Sequence, residues 1–239
     1  MTKYTKERMQ SMRRGDIISW HEMGMMGEAF QQGMTFSPSG RDYAVVNMSV
    51  SPGAPYADKW EDDGRTIIYE GHDAKRDKYT PEPKLISQPT GIMCENGKFI
   101  KAVERYKSGS APRVVKVYEK IKPGIWVYNG FFNLTDYWQE NDIGNPARKV
   151  CKFKLEAIDE KIENIQSENV IIEHARLIPS AIKFEVYTRD KGCCRECGAA
   201  ENLHYDHILP YSKGGTSVDA KNIQILCATC NLKKGAKII

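Results

Sequence analysis

The chain has 239 residues, 41% of them hydrophobic and 28% charged, with a formal net charge of +4. That length and composition imply one or two soluble domains with real cores, and the charge is too small to demand a polyanionic partner by itself. The longest apolar runs, such as NVIIEHA, are too short to span a bilayer, and no apolar segment follows the basic N-terminus, so no membrane partner and no secretory signal are expected and a cytoplasmic location is implied.

In chain order, residues 1 to about 155 are strand-rich. DYAVVNMSV, RTIIYEG, KFIKAVERY, RVVKVYEKI, GIWVYNGFFNL and KVCKFKLEAI are short β-branched and aromatic runs separated by Gly, Pro, Asn and Asp turns. VYEKIKPGIWVY has the form of a hairpin turning at Pro123-Gly124. Many short strands imply a barrel or a strongly bent sheet. Next, Ile158, Ile162 and Ile165 recur at helical spacing among charged residues, which predicts a linker helix and connection over 157–178. SAIKFEVYTRDKG then predicts a short helix that starts at Ser180 and stops at Gly192. The expected organisation is α+β with two domains, 1–156 and 179–239, joined by that linker.

Five of the seven cysteines fall in the last 47 residues. In a reducing compartment such a cluster points to metal rather than disulfides. Cys194-x-x-Cys197 and Cys227-x-x-Cys230 are two matched knuckles that together supply the closed four-sulfur shell of structural Zn²⁺. A segment this small needs such a staple to hold a core. Cys193 is a spectator beside the first knuckle, and Cys94 and Cys151 read as small core residues.

From shortly after the first knuckle to just past the second runs YDHILPYSKGGTSVDAKNIQILCATCNLKKG. His207 is followed after fourteen residues by Asn222, and Asn222 after eight by Asn231. Phosphodiester hydrolysis needs an activated water and a cation against the developing charge. Asp206 is a hard oxygen donor suited to Mg²⁺, and Asn231 can offer a second oxygen. Adjacent strand residues face opposite ways, so Asp206 and His207 serve one site only if the chain bends at Ile208–Pro210. The spacing and the cysteine frame resemble the HNH (ββα-metal) endonucleases. That resemblance implies His207 as general base, Asn222 orienting the imidazole or holding the loop, and Lys233 and Lys234 contacting phosphates. The third motif letter here is Asn231 rather than His, which leans the site toward Mg²⁺ or Mn²⁺. His204 reads as structural or phosphate-facing.

The first domain resembles the SRA (YDG) family of modified-cytosine readers, a PUA-type bent barrel. The match runs through GDIISWHEMGMMG, DYAVVNMSVSPGAPYADKWEDDGRTIIYEGHDAKRD, NGKFIKAV with APRVVKVYEKI, and WVYNGFFNL, where Tyr128-Asn129-Gly130 stands in place of Tyr-Asp-Gly. The resemblance implies that Tyr56 and Tyr69 sandwich a flipped base and that Asp58 accepts from the cytosine amino group, with Asp62 and Asp63 as alternatives. Gly71 would let backbone approach base or phosphate. Together the two resemblances imply an endonuclease of double-stranded DNA carrying 5-methyl- or 5-hydroxymethylcytosine. Cleavage of both strands implies a homodimer or two copies meeting on DNA. A zinc-stabilised reader without catalysis, and an HNH nuclease of unmodified DNA, are the rival expectations.

Overall fold

The computed structural model describes residues 9, 11–31, 33–61, 64–72, 92–142, 145, 146, 148–158, 160–162, 171–173, 177–210 and 213–235. They fall into two compact units that interleave in sequence, Phe30–Tyr118 with Phe131–Ile158, and Met1–Ala29 with Glu119–Gly130 and Asp159–Ile239.

The first unit is built on a sheet. Its strands are β2 (Met34–Thr35), β3 (Ala44–Met48), β4 (Lys59–Trp60), β5 (Thr66–Glu70), β6 (Arg113–Lys122), β7 (Ile125–Asn141) and β8 (Lys149–Ala157), in the spatial order β2-β3-β6-β7-β8-β5-β4. β6 and β7 join at Pro123-Gly124, as the turn chemistry requires, with Gly124 at φ +81°. β7 is long enough to need a register shift between Leu134 and Asp136 where it pairs with β8. KFIKAVERY is a correction: it belongs to helix α2 (Glu95–Lys107), not to a strand. Phe99, Ile100 and Val103 are its buried apolar residues, and their spacing follows a helix rather than alternation. Phe99 packs on Phe153 with ring centroids 5.5 Å apart, and both rings are fully buried with Tyr118 and Phe132. Each such ring contributes about 1.5–3 kcal/mol on leaving water.

The second unit opens with β1 (Ile17–Ser19), which pairs with the start of β7 through Ile17–Val127 and Ser19–Ile125. Ser19 then caps helix α1 (Trp20–Met25) reciprocally with Glu22. The expected linker helix is also corrected. Glu160–Ile162 (β9) and Ile171–Glu173 (β10) pair as antiparallel strands, and Ile165 lies outside the described residues. α3 (Ser180–Arg189) follows Pro179 as expected. β11 (Leu203–His207), a 3-10 turn (Ala220–Asn222), β12 (Ile223–Cys227) and α4 (Ala228–Lys234) complete a strand–strand–helix motif. Its core gathers Ile17, Val127, Val186, Leu203, Ile223 and Ile225.

Residues 119–130 also contribute a buried polar group to this unit. Lys183 Nζ lies 2.7 Å from Glu119 Oε2 and from Asn129 Oδ1, and Asn129 Nδ2 donates to Glu119 at 3.0 Å. All three residues are essentially inaccessible, which is tolerable because the charges are paired and further hydrogen-bonded. Tyr128-Asn129-Gly130 therefore acts inside the unit: Asn129 meets α3, and a side chain at Gly130 would strike Arg14 Nε at 2.2 Å.

Candidate functional site

The two knuckles converge. The Sγ atoms of Cys194, Cys197, Cys227 and Cys230 lie within 4.8 Å of one another, and among the described residues they are the one group of three or more His, Cys, Asp or Glu side chains placed to hold a metal ion. Cys197 and Cys227 are 3.7 Å apart, close to the ~3.8 Å edge of a tetrahedron with 2.3 Å metal–sulfur bonds. No disulfide competes among the described cysteines. Burial opposes ionisation of Cys194, yet N–H groups of Cys227, Cys197 and Glu196 bring its thiol down to about 7. Hydrogen bonding to Cys227 and Cys197 pushes Cys230 up to about 12. Four thiols this close resist shared ionisation until a cation joins them, so the set fits Zn²⁺.

β11 and β12 run antiparallel with Asp206 opposite Gln224 and His207 opposite Ile223. The alternation anticipated for a strand holds. Asp206 turns to Gln224, whose Nε2 donates to Oδ2 at 3.2 Å, and to Lys234, whose Nζ stands 2.8 Å from the same oxygen. His207 turns to the following loop, with Nε2 2.8 Å from Ser217 Oγ. The chain does bend at Ile208 and Leu209. Asn222 holds this loop: its Oδ1 accepts from Leu209 N at 2.8 Å, and its Nδ2 donates to Leu209 O and Thr216 O at 3.2 and 2.9 Å. The loop passes so close that a Cβ at Gly215 would lie 1.8 Å from Leu209 O. Of the two roles expected for Asn222, the loop-holding one is the one its hydrogen bonds display.

Lys234 is a correction. Its side chain is 2% exposed, and it donates to the His207 carbonyl at 2.6 Å besides pairing with Asp206. It is an internal cation rather than a phosphate contact. Lys233 is exposed and stays available to a polyanion. Asn231 is half-buried three residues before Lys234, hence on the same side of α4. Asp206 and Asn231 each offer a hard oxygen, the donor type that suits an ion that keeps waters and takes its other ligands from a phosphate. His204 is structural: its Nδ1 contacts Asp16, which is fully buried, and Gly15 O accepts from Tyr205 N at 3.1 Å.

In the sheet unit, Tyr56, Asp58 and Tyr69 come together. Asp58 takes Ser49 N on Oδ2 and Glu70 N on Oδ1, both at 2.9 Å. Burial raises its pKa to about 7, against the lowering effect of those two N–H bonds. Burial, with Asp58 and Tyr56 nearby, also lifts the Tyr69 phenol well above its usual range. The Tyr69 hydroxyl would meet a Cβ at Gly33 at 2.9 Å. Gly71 is glycine for another reason than the expected one: a Cβ there would strike Asn96 Oδ1 at 2.3 Å and Phe153 at 2.9 Å, both interior groups. Asp62 and Asp63 lie outside the described residues.

Residues 194–237 match the family model of the HNH endonucleases. They form an HNH endonuclease domain. Solved structures similar to this chain over part or most of its length include the SUVH5 SRA domain with hemi-methylated CG DNA, 22% identical, covering 62% of this chain and 90% of that one with a TM-score of 0.42. The same domain with fully hydroxymethylated CG DNA is 20% identical over 58% and 83%, TM-score 0.38. The modification-dependent TagI restriction endonuclease is 18% identical over 93% of this chain and 77% of that one, TM-score 0.40. No curated protein matches the chain. Among the described residues no helix is long and apolar enough to cross a membrane.

In the HNH domain, Ser217, Gln224 and the inward turn of Lys234 escaped notice, since each acts through a partner made near only by folding. Glu70 and Lys152, an ion pair beside the Tyr56, Asp58 and Tyr69 cluster, stood out less. Their signal was present: a carboxylate closing TIIYE and a lysine within KVCKFKL, each in a strand buried on both faces.

Proposed function

We propose that the chain is a modification-dependent DNA endonuclease: the sheet unit binds double-stranded DNA at a flipped 5-methyl- or 5-hydroxymethylcytosine, and the HNH domain cuts a phosphodiester nearby. The observation that carries it is the HNH frame itself, in which four converging thiols carry β11 and α4 and with them Asp206, His207 and Asn231. The reading role is supported by two tyrosines and a carboxylate brought together around residues 56–69.

Cys194, Cys197, Cys227 and Cys230 would hold a structural Zn²⁺ with no open position for chemistry. Asp206 and Asn231 would hold Mg²⁺ or Mn²⁺, which supplies neutralisation of the charge that develops on the phosphate and leaving oxygen. His207 takes the proton of the attacking water, its ring oriented by Ser217. Asn222 keeps the loop behind that ring in place. Lys233 meets the backbone electrostatically, adding affinity that weakens as salt rises. Tyr56 and Tyr69 stack on the extruded base, worth about 1–3 kcal/mol per base, against a flipping cost of a few kcal/mol. Asp58, as carboxylate, accepts from the cytosine amino group. Two HNH domains, one for each strand, imply a homodimer or two copies meeting on DNA. The proposed functional limits are 1–156 for the reader and 179–239 for the nuclease, although residues 1–29 and 119–130 belong to the compact unit that holds the nuclease residues.

The test is parallel digestion of unmodified, methylated and hydroxymethylated duplexes with Mg²⁺, using the wild type and His207→Ala. Cutting of modified duplexes by the wild type alone is expected. Equal cutting of unmodified DNA would refute the reading role, and full activity of the alanine variant would refute the assignment of the base.

A further inference from the structure

Glu70 closes β5, and Lys152 is its partner on β8. They are 2% and 5% exposed, with Lys152 Nζ 2.7 Å from Glu70 Oε2. Apolar residues of similar volume would stabilise a core as well or better, so a buried ion pair calls for another reason. Its remaining hydrogen bonds supply one. The Ala57 N–H donates to Glu70 Oε2 at 3.1 Å, and Lys152 Nζ donates to the Ala57 carbonyl at 3.2 Å. One ion pair thus holds both backbone groups of the residue between Tyr56 and Asp58. Glu70 Oε1 accepts from Arg148 Nη2 at 2.9 Å, and the Arg148 guanidinium lies 6.0 Å from the Tyr56 ring centroid. Ala57 itself is exposed, so its side chain anchors nothing.

We propose that the Glu70–Lys152 pair is a positioning clamp: it holds the Tyr56–Asp58 segment through the Ala57 backbone and sets the charge environment of Asp58. The proposal rests on the base-pocket reading above. Asp58 is faced by Glu70 from β5 and Lys152 from β8, by the phenol of Tyr69, which Tyr56 also faces, and by the N–H groups of Ser49 and Glu70. Glu70 favours its protonated form and Lys152 its ionised form. Arg148 and Asp142 flank Glu70 and Tyr56, and Glu140 Oε1 lies 3.9 Å from Lys152 Nζ, completing the ring of charges around the pair.

The experiment uses the full chain with Lys152→Met and Glu70→Gln. Without DNA, NMR follows amide exchange at Ala57 and the carboxyl titration of Asp58. With DNA, binding to methylated and unmodified duplexes is compared. Both variants should exchange Ala57 about tenfold faster or more. The Asp58 midpoint should rise in K152M and fall in E70Q, opposite shifts that a general loosening does not produce. Affinity for methylated duplex should fall about tenfold or more, with unmodified duplex unaffected. Unchanged Ala57 exchange and Asp58 midpoint in K152M overturn the clamp. If K152M does not fold, E70Q decides by the same two readouts. If neither folds, the pair belongs to the core and the positioning role fails. If Ala57 and Asp58 respond but the wild type does not prefer methylated duplex, the clamp stands and the base-pocket reading falls.

Discussion

Lys234→Met probes the nuclease centre directly. The lysine side chain is 2% exposed and stands 2.8 Å from Asp206 Oδ2, whose own side chain is 15% exposed. Met keeps the packing of the aliphatic stem and removes the charge. Losing one member of a fully buried pair costs about 3–5 kcal/mol. Asp206 retains the Gln224 amide at 3.2 Å and some solvent, so a cost of about 2–3 kcal/mol is expected, a fall of about 5–10 °C in Tm for a unit of this size. A divalent ion at Asp206 must share the carboxylate with the resident ammonium in the wild type and has no such rival in the variant. Mn²⁺ should therefore raise Tm more in K234M than in the wild type, since a ligand stabilises in proportion to its affinity for the folded state. Scanning calorimetry of zinc-loaded protein across a Mn²⁺ titration measures both effects. An unchanged Tm without Mn²⁺, or equal Mn²⁺ increments in the two proteins, would refute the reasoning.

Zinc chelation, or Cys230→Ser, should unfold the HNH domain, because structural Zn²⁺ supplies about 10 kcal/mol or more and a domain's net stability is no larger; dispersed NMR signals of Val186 and Ile225 after chelation would contradict this. Asn222→Ala removes three hydrogen bonds to Leu209 and Thr216, a loss of about 2–3 kcal/mol, read as lost amide protection at Leu209 and refuted if that amide stays protected. The Asp58 pKa is raised from 3.8 to about 7, so the folded state holds a proton there that the unfolded state releases. That contribution to stability is complete below 3.8 and is lost as pH rises through about 7. Asp58→Asn should flatten stability against pH across that window, and an identical pH profile in denaturant titrations would sink the assignment. On the proposed reading, in which binding of modified DNA would use the ionised carboxylate, affinity should run the other way and strengthen as pH rises through about 7.

Much of the site was legible because its signals are local. Two Cys-x-x-Cys turns carry their metal geometry within four residues each, and they frame Asp206, His207 and Asn222, with Asn231 immediately after the second turn. Pro123-Gly124 announced its hairpin for the same reason. The misreadings arise where local signals are ambiguous. KFIKAV carries β-formers at a helical spacing, and burial against Phe153 selects the helix. Lys234 follows Lys233 in a basic tail and looks solvated, but its position on α4 turns it onto Asp206 while its neighbour faces out. Gly71 looked permissive for a ligand and is required by Asn96.

By itself, the amino-acid order determined which reactive groups are close along the chain: which thiols can share a metal, which carboxylate and imidazole stand side by side, and which aromatic residues accompany a carboxylate. Only tertiary structure decided how charges distant in sequence are shared. Asp206 is answered by Lys234, Glu119 by Lys183, Glu70 by Lys152 and Asp16 by His204. The physical reason is that a buried charge must find a partner once water is excluded, and which partner is in reach depends on strand register and helix phase across long loops, where sequence separation carries no distance information.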